Sequence, residues 1–345
     1  MTGDRTLLVT GGAGFIGSNF VEFWFDRYKD DKIIVLDALT YAGNPQNFPE
    51  RIRNSERFEF CYGNVTNEEL VNNLVGRSDT VVHFAAESHV ARSIFDNKIF
   101  YVTDVIGTQV VANAVLKNIG RIERFIHIST SEVYGTAVSN PMNEDHPLNP
   151  MSPYASAKAG ADRLVYSYWA TYHIPAVIIR PFNQYGPRQH LEKVIPRFIT
   201  SALKNEPLTV HGNGLAKRDW LHVHDTCERL DLVINAPIEK VKGEVFNIGS
   251  GFDEDVLSIA KLILKTTGRS EDLITFIGDR PGQVQHHISS TKKAETILGM
   301  PPAGSFVDGI GSTIQWYDAN RDWWKPLEWM KNVTITTASG KMERH

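Results

Sequence analysis

The sequence predicts an α/β protein that is built on a doubly wound parallel sheet and ends in a smaller mixed α/β region. In the first half, short β-branched and aromatic runs alternate with stretches of helical periodicity. Runs that are apolar throughout are typical of parallel strands covered by helices on both faces. A glycine-rich turn follows the first run, which is where such a sheet commonly begins.

The predicted elements follow one another from the N-terminus to Pro181. Six strands are predicted, at 6–12, 33–37, 58–63, 80–86, 124–130 and 176–181. Amphipathic stretches predict helices at 17–29, 105–118 and 154–172. After Pro181 the loops lengthen and glycine and proline become more frequent. The expected division is therefore 1–181, with some later segments returning to it, then 182–330, then a flexible tail at 331–345.

Composition excludes several classes of partner. The chain has 345 residues, 42% of them hydrophobic, and a formal net charge of −4. Because there is no basic excess, nucleic acid is not expected as a partner. No apolar run approaches the roughly 20 residues of a membrane span, and the N-terminus lacks a leader pattern. We therefore expect no membrane partner and a cytoplasmic location.

The turn after the first strand, VTGGAGFIGS, carries Gly11, Gly14 and Gly17 in a variant of the dinucleotide-binding fingerprint. Glycines here let backbone N–H groups approach a pyrophosphate at the N-terminus of the next helix. Asp37 lies 20 residues beyond Gly17, at the end of the second strand. A carboxylate there accepts a hydrogen bond from a ribose 2′-hydroxyl and repels a 2′-phosphate. The first part is therefore predicted to be a Rossmann domain that binds NAD in preference to NADP.

Two further polar groups predict catalysis. The segment SPYASAKAG places Tyr154 and Lys158 one helical turn apart, on one face of a helix. A buried ammonium beside a phenol is expected to lower the tyrosine pKa and make it a base for a sugar hydroxyl. Thr130, Ser131 and Glu132 follow the fifth strand. An isolated Tyr–Lys pair is usually part of a solvated surface, but the glycine turn and the strand-end group favour a catalytic site.

Together these motifs resemble the extended short-chain dehydrogenase/reductase family and, within it, the nucleotide-sugar 4,6-dehydratases of the dTDP-glucose 4,6-dehydratase type. The resemblance covers residues 5–325. It includes the segments DALTYAGN (37–44), HFAAESHVARS (83–93), STSEVYG (129–135), RPFNQYGP (180–187), EKVIPRFI (192–199), KRDWLHVHD (217–225), EVFNIGSG (244–251) and RPGQV (280–284).

The resemblance implies a lyase that retains NAD and acts on a nucleotide-diphosphate hexose. Tyr154, helped by Lys158 and Thr130, would take the C4 hydroxyl proton while hydride leaves C4. Glu132 would remove the C5 proton, water would leave from C6, and hydride would return to C6 to give a 4-keto-6-deoxyhexose. The implied cofactor-binding residues are Gly11, Gly14, Phe15, Ile16, Gly17, Asp37, Asn64, Val65, Ala85, Tyr154 and Lys158.

The sequence departs from the family pattern at Ser131, where better-known members carry the aspartic acid that protonates the leaving hydroxyl. Three outcomes stay open: Glu132 acts as both base and acid, a water donates the proton, or the reaction is not a 4,6-dehydration. Asn64 is a second departure, because an aspartate usually meets the adenine there. Its amide can still accept from the adenine amino group through the carbonyl oxygen.

For the sugar nucleotide, the resemblance implies contacts from His89, Asn183, Lys193, Arg218 and Arg280. Arginine suits bidentate phosphate contact. His286 and His287 are adjacent on an extended segment, point to opposite sides and have no evident third ligand, so no metal site is predicted. The nucleotide itself, whether dTDP, UDP, GDP or CDP, stays open.

Other reactions on the same scaffold stay open. A nucleotide-sugar 4-epimerase or a UDP-glucuronate decarboxylase would use the same scaffold, and the Ser–Glu pair resembles that of the decarboxylases. A non-catalytic nucleotide-sugar sensor is disfavoured, because a sensor needs no poised base.

The helices at 105–118 and 154–172 carry apolar residues on more than one face. The family's usual dimer buries both, so we expect a homodimer.

Overall fold

The computed structural model describes residues 4–88, 90–278 and 287–331, and only the backbone of residues 95, 334–336 and 342–344. The strands are β1 (Thr6–Thr10), β2 (Lys32–Asp37), β3 (Phe58–Tyr62), β4 (Thr80–His83), β5 (Arg124–Ile128), β6 (Ala176–Pro181), β7 (Asn183–Tyr185), β8 (Leu208–His211), β9 (Lys217–His222), β10 (Val245–Ile248), β11 (Asp253–Asp255), β12 (Ile274–Ile277), β13 (Thr334–Thr336) and β14 (Met342–Arg344). The helices are α1 (Phe15–Arg27), α2 (Glu50–Arg53), α3 (Glu68–Gly76), α4 (Val90–Phe95), α5 (Lys98–Phe100), α6 (Thr108–Lys117), α7 (Pro153–Tyr172), α8 (Val194–Lys204), α9 (Val223–Asn235), α10 (Ile238–Val241), α11 (Val256–Thr267), α12 (Lys292–Leu298), α13 (Phe306–Ala319) and α14 (Arg321–Trp324).

The central sheet has seven strands in the order β10-β6-β5-β4-β1-β2-β3, and each neighbouring pair is parallel. The predicted doubly wound Rossmann sheet and its six strands are confirmed. Four strands end earlier than predicted: β1 at Thr10, β3 at Tyr62, β4 at His83 and β5 at Ile128. Beyond them the chain leaves the sheet, and the hydroxyl of Thr130 caps a short 3₁₀ turn, Ser131–Tyr134. These early exits open the edge of the sheet at which the polar residues gather.

Helices cover both faces of the sheet and close two hydrophobic cores. On one face, Phe20 and Trp24 of α1 are fully buried in the core that also holds Phe246 of β10. On the other, Val111 of α6 and Val165 of α7 pack in the second core. Burial of side chains of this size stabilises the fold by about 1.5–3 kcal/mol each. The cores thereby fix α1 and α7 rigidly against the strands.

One helix is much longer than predicted. The helix expected at 105–118 runs without a break from Lys98 to Lys117, because α5 and α6 are joined by a π-helical turn at Tyr101–Gly107. This helix is long and apolar enough to cross a membrane, yet 56% of its apolar window is buried inside the fold. A core helix of a globular fold passes the same test, so its composition is weak evidence for a membrane.

The chain beyond β6 builds a smaller mixed region. It holds a three-stranded sheet, β11-β9-β7, and a two-stranded sheet of β12 with β8. Helices α8, α11 and α13 close a third core around Phe198, Ile263 and Tyr317. Strand β10 leaves this region to pair with β6, which makes it the seventh strand of the central sheet. In the tail, β13 and β14 pair antiparallel, and the other residues from 332 onward lie outside the described part of the chain.

Candidate active site

A single cavity of about 840 Å³ opens at the carboxyl ends of the central strands. Every predicted site residue that the structure describes lines it. They are Gly11, Gly14, Phe15, Ile16, Gly17, Asp37, Asn64, Val65, Ala85, Thr130, Ser131, Glu132, Tyr154, Lys158, Asn183, Lys193 and Arg218. Two predicted residues, His89 and Arg280, lie outside the described residues, as does His286. The crevice outside the strand ends is the usual ligand site of open α/β sheets.

The glycine turn fits a dinucleotide pyrophosphate. Gly11 has φ +68°, and a Cβ there would lie 2.6 Å from the backbone nitrogen of Ala85. A Cβ at Gly17 would lie 2.5 Å from the carbonyl oxygen of Gly11. Helix α1 starts after Gly14 without a side-chain cap, so its first N–H groups are not taken by a capping side chain. This is the arrangement in which a helix N-terminus receives phosphate.

Asp37 is held where a ribose acceptor is needed. Its Oδ2 accepts from the N–H of Ala13 at 2.9 Å, and its Oδ1 accepts from the N–H of Leu39 at 2.8 Å. Burial raises the pKa of Asp37, and the two backbone bonds oppose that rise. Each carboxylate oxygen has a second lone pair, so a ribose hydroxyl can still be accepted. The residues present therefore fit NAD.

The geometry at Asn64 differs from the expectation. Its carbonyl oxygen accepts from both the N–H and the hydroxyl of Thr66, each at 2.9 Å. These two bonds occupy both lone pairs of that oxygen. Because the oxygen accepts a backbone N–H, the amide nitrogen is the group that remains to face an adenine. An adenine ring nitrogen, rather than the amino group, is the complementary partner for that N–H.

The strand-end turn brings the catalytic hydroxyls together. Thr130 lies 8% exposed at the end of β5, and its Oγ1 accepts from the N–H of Glu132 at 3.2 Å. Its hydroxyl also hydrogen-bonds the phenol of Tyr154, which lowers the tyrosine pKa. Tyr154 stands in the first turn of α7, where Ser152 caps the helix and Pro153 begins it. The predicted grouping of these side chains is thus present in the structure.

The expected effect of Lys158 on Tyr154 is absent from this state of the protein. Burial and then the charges of Asp104 and Glu132 raise the pKa of Tyr154, and only the Thr130 hydrogen bond lowers it. The ammonium of Lys158 instead donates to the carbonyl oxygen of Ile128 at 2.7 Å. Its burial, which leaves the residue 3% exposed, lowers its own pKa. The prediction of a tyrosine pKa lowered by Lys158 is therefore wrong here.

The carboxyl of Glu132 has a raised pKa. Burial raises the pKa of its carboxyl, while the charges of Arg218 and Lys193 oppose that rise. Ser131, 3% exposed, lines the same cavity. The ring of His287, 1% exposed, lies beside the backbone of Ser131, and neither of its nitrogens has a hydrogen-bond partner among the described residues. His287, which the sequence analysis considered only as a metal ligand, therefore packs beside the strand-end turn.

The substrate side of the cavity carries positive charge. Lys193 Nζ lies 3.5 Å from the carbonyl oxygen of Ser88 and 3.5 Å from Glu192 Oε1. Arg218 lies on β9, with its Nη1 donating to the carbonyl oxygen of Lys217 at 2.8 Å. Arg197, on α8, lines the cavity too and was missed from the sequence. Cations near Glu132 suit a diphosphate sugar.

Sequence analysis also missed several polar lining residues around Tyr41. The Tyr41 hydroxyl lies 3.3 Å from Ser88 Oγ and 3.5 Å from Glu192 Oε1, and its ring faces the guanidinium of Arg92 at 4.3 Å. His190 stands edge-on to the Tyr41 ring. All of these residues fall in or beside the segments that carried the family resemblance, which was the one sequence feature that could have found them.

Comparisons with known proteins agree with this site. The family model described as GDP-mannose 4,6 dehydratase matches residues 8–313. The low-salt glycan biosynthesis protein Agl12 of Haloferax volcanii is 45% identical over 90% of this chain and 98% of its own. A dTDP-glucose 4,6-dehydratase of an Actinoplanes species is 41% identical over 92% of this chain and 99% of its own.

Solved structures give the same result. The dTDP-glucose 4,6-dehydratase of Bacillus anthracis, in complex with NAD, superposes with a TM-score of 0.86 at 37% identity, over 94% of this chain and 100% of that one. DesIV, the dTDP-glucose 4,6-dehydratase of Streptomyces venezuelae, also solved with NAD, gives 0.88 at 39%, with the same coverage. A UDP-glucuronic acid 4-epimerase of Bacillus cereus gives 0.84 at 29%, over 91% and 99%.

The chain belongs to the nucleotide-sugar 4,6-dehydratase family of the extended short-chain dehydrogenases/reductases. It is an NAD-dependent lyase, and the predictions of fold, enzyme class and cofactor are confirmed. The 4-epimerase structure is less similar to this chain than the dehydratase structures are, and dehydration is the better supported reaction. Its structural neighbours bind nucleotide sugars, in one case UDP-glucuronic acid.

Proposed function

We propose that the protein removes water from the hexose of dTDP-glucose to give the 4-keto-6-deoxy sugar. The observation that carries this proposal is the convergence of Thr130, Tyr154 and Glu132 in one cavity with Arg218 and Lys193. The choice of dTDP rests on relatives that are 37–41% identical and are named dTDP-glucose 4,6-dehydratases. The match to a family described by GDP-mannose supports the reaction but not that nucleotide.

Bound NAD would supply the acceptor for hydride from sugar C4 and, once reduced, the donor of hydride to C6. We assign its pyrophosphate to the turn of Gly11, Gly14 and Gly17, with the N–H groups of Phe15 and Ile16. Asp37 takes the ribose hydroxyls, and Asn64 and Val65 lie along the adenine. This assignment is supported by the close backbone contacts at Gly11 and Gly17 and by the fixed carboxylate of Asp37.

Tyr154 removes the proton of the C4 hydroxyl in this proposal. The Thr130 hydrogen bond stabilises the phenolate, and Lys158 supplies a positive charge on the same face of α7. Burial keeps the tyrosine pKa high, so the base forms only when the site is filled and further positive charge lies beside it. The protein thereby holds Tyr154 protonated until the cofactor and sugar are in place.

Glu132 acts as both base and acid in the elimination. It takes the C5 proton, which the neighbouring 4-ketone has acidified, and delivers it to the departing C6 hydroxyl, which leaves as water. When hydride returns to C6, Glu132 relays a solvent proton to C5, and the proton that Tyr154 took from the C4 hydroxyl passes to solvent. The raised pKa of this buried carboxyl supports that double role, because the group retains a proton between the two transfers. Ser131 orients the leaving hydroxyl by hydrogen bonding. Asn183, Lys193 and Arg218 bind the sugar and its diphosphate.

Three coarser assignments accompany the mechanism. We place the NAD-binding unit at 1–181 and the sugar-nucleotide unit at 182–330, with β10 returning to the first. A homodimer through the helix Lys98–Lys117 and α7 is supported by apolar side chains left exposed on both, among them Ile106 and Tyr166. A cytoplasmic location stays a prediction from the sequence.

Competition among nucleotide sugars tests the substrate. Purified protein is assayed with dTDP-glucose, UDP-glucose, GDP-mannose and CDP-glucose, and kcat/KM is measured for loss of water from each. We expect dTDP-glucose to exceed the others by about 10-fold or more, because GDP and CDP leave base contacts unpaired and UDP lacks the thymine methyl group and adds a 2′-hydroxyl. Tyr154→Phe is the inactive control. A higher kcat/KM for any other nucleotide would contradict the proposed substrate.

A further inference from the structure

The long apolar helix of the fold contains one acidic residue, Asp104, between Lys98 and Lys117. Asp104 lies in the π-helical turn Tyr101–Gly107, and it is 0% exposed. Its Oδ1 accepts from the N–H of Glu87 at 2.8 Å. Its Oδ2 is buried and, among the described residues, has no hydrogen-bond partner. A buried carboxyl group of this kind is stabilised either by a nearby positive charge or by protonation.

The positive charge that Asp104 faces is Lys158. Asp104 and Asp162 are the two groups that favour the charged form of this buried lysine, and Asp104 has the larger effect. Asp162 is already engaged, because Arg180 donates to both of its oxygens at 2.9 and 3.0 Å and Arg163 contacts it as well. Because the arginines already compensate Asp162, Asp104 is the acid that compensates the charge of Lys158.

We propose that Asp104 is a positioning residue of the catalytic site, whose carboxylate keeps Lys158 protonated beside Tyr154. The inference rests on the proposed function for its effect on turnover. A π-helical turn inserts one residue into the helix, and such turns are frequent at functional sites. Here the π-helical turn carries Asp104, the acid of this apolar helix, to the polar residues at the carboxyl ends of the strands.

The groups that face Asp104 set the sign of its effect. They are Lys158 and Tyr154 from α7 and Glu87 from the loop after β4, while His83 and His127 face Lys158 from the adjoining strands. Burial raises the pKa of Asp104 to about 7, and Lys158 opposes that rise. The carboxylate in turn raises the pKa values of Tyr154 and Lys158. Removing its charge should lower both.

The pH profile of Asp104→Asn tests this directly. The amide retains an oxygen for the Glu87 N–H while it removes the charge. The bell-shaped dependence of kcat on pH should move to lower pH by about one unit, because the pKa values of both titrating groups fall. The matched control is Asp31→Asn, which removes a buried acid that pairs with Arg5 at 3.0 Å and does not line the cavity. It should leave the profile in place. An unmoved profile in Asp104→Asn would overturn the proposal.

A stability cycle tests the same pair without turnover. Melting temperatures are measured at neutral pH for Asp104→Asn, Lys158→Met and the double variant. Each single variant leaves one charge buried alone, so each should melt lower than the wild type, whereas the double variant should recover part of that loss. Strictly additive losses would overturn the pairing. Because this cycle requires no reaction, its outcome is independent of whether dTDP-glucose is the substrate.

Discussion

Glu132 must perform two proton transfers in the proposed mechanism, because the residue before it is Ser131 and not an acid that could protonate the leaving hydroxyl. Burial raises the pKa of its carboxyl, and the charges of Arg218 and Lys193 partly offset that rise. That balance suits a group that must first accept a proton and then release it. Ser131 lines the cavity but offers only a weakly acidic hydroxyl.

Paired substitutions separate the two residues. We expect Glu132→Gln to lower kcat by at least about 10²-fold, because the amide can neither take the C5 proton nor return one. Ser131→Ala should keep kcat within about threefold of the wild type, because its hydroxyl is not the proton donor. Steady-state assays read kcat, and absorbance of the bound dinucleotide shows that both variants are loaded. Comparable losses in the two variants would assign the donor to Ser131.

Among the elements, the turn between β1 and α1 leaves no room for a side chain at Gly11 or Gly17. A Cβ at Gly17 meets the carbonyl oxygen of Gly11 at 2.5 Å, whereas a Cβ at Gly120 meets nothing within 4 Å. Gly17→Ala should therefore purify without NAD, and Gly120→Ala should retain it. The dinucleotide released on denaturation is the measurement. Full NAD content in Gly17→Ala would remove the pyrophosphate assignment.

Helix α7 is anchored to the sheet by a buried ion pair. Arg180 of β6 meets Asp162 of α7, with side chains 2% and 0% exposed. Burial alone would raise the pKa of Asp162, but the bonds from Arg180 outweigh it and hold the pKa below its ordinary value. We expect Asp162→Asn to lower the free energy of unfolding by about 3–5 kcal/mol, because Arg180 is left buried and uncompensated.

The sign of the pH dependence follows from that lowered pKa. An acid with a depressed pKa in the folded state stabilises the protein fully above its unfolded pKa of about 3.9. The stabilisation is lost as pH falls through the lower, folded value. Denaturant titrations of the wild type should therefore show stability declining below about pH 4. The Asp162→Asn variant should lack this part of the decline, and an unchanged slope would contradict the pair's role.

The sequence predicted the elements whose chemistry is local. The glycine turn, Asp37 and the Tyr154–Lys158 spacing are each set within a few tens of residues, and the structure brings them to one cavity. Asp104 and His287 could not be found that way, because their environment depends on a π-helical turn and on a distant segment packed beside Ser131. The tyrosine pKa was also misjudged, since spacing along a helix does not show that Lys158 turns to the Ile128 carbonyl.

At the scale of the whole molecule, the exposed apolar face of the helix Lys98–Lys117 predicts assembly. Ile106 is 50% exposed there, and Val307 on α13 is 58% exposed elsewhere. We expect the 38.8 kDa chain to sediment as a dimer, and Ile106→Glu to shift it toward the monomer, because a charge would be buried in the interface. Val307→Glu should remain dimeric. A wild-type monomer in analytical ultracentrifugation would contradict the proposed interface.

Turnover in deuterated water distinguishes 4,6-dehydration from epimerisation. Purified protein is incubated with dTDP-glucose in deuterated water without added NAD, and the product is read by mass spectrometry and NMR. The mechanism predicts that the product has lost one water and gained one deuterium at C5. The C5 proton exchanges with solvent through Glu132, whereas the hydride from C4 is retained at C6. A C4 epimer of unchanged composition, or no turnover until NAD is added, would contradict it.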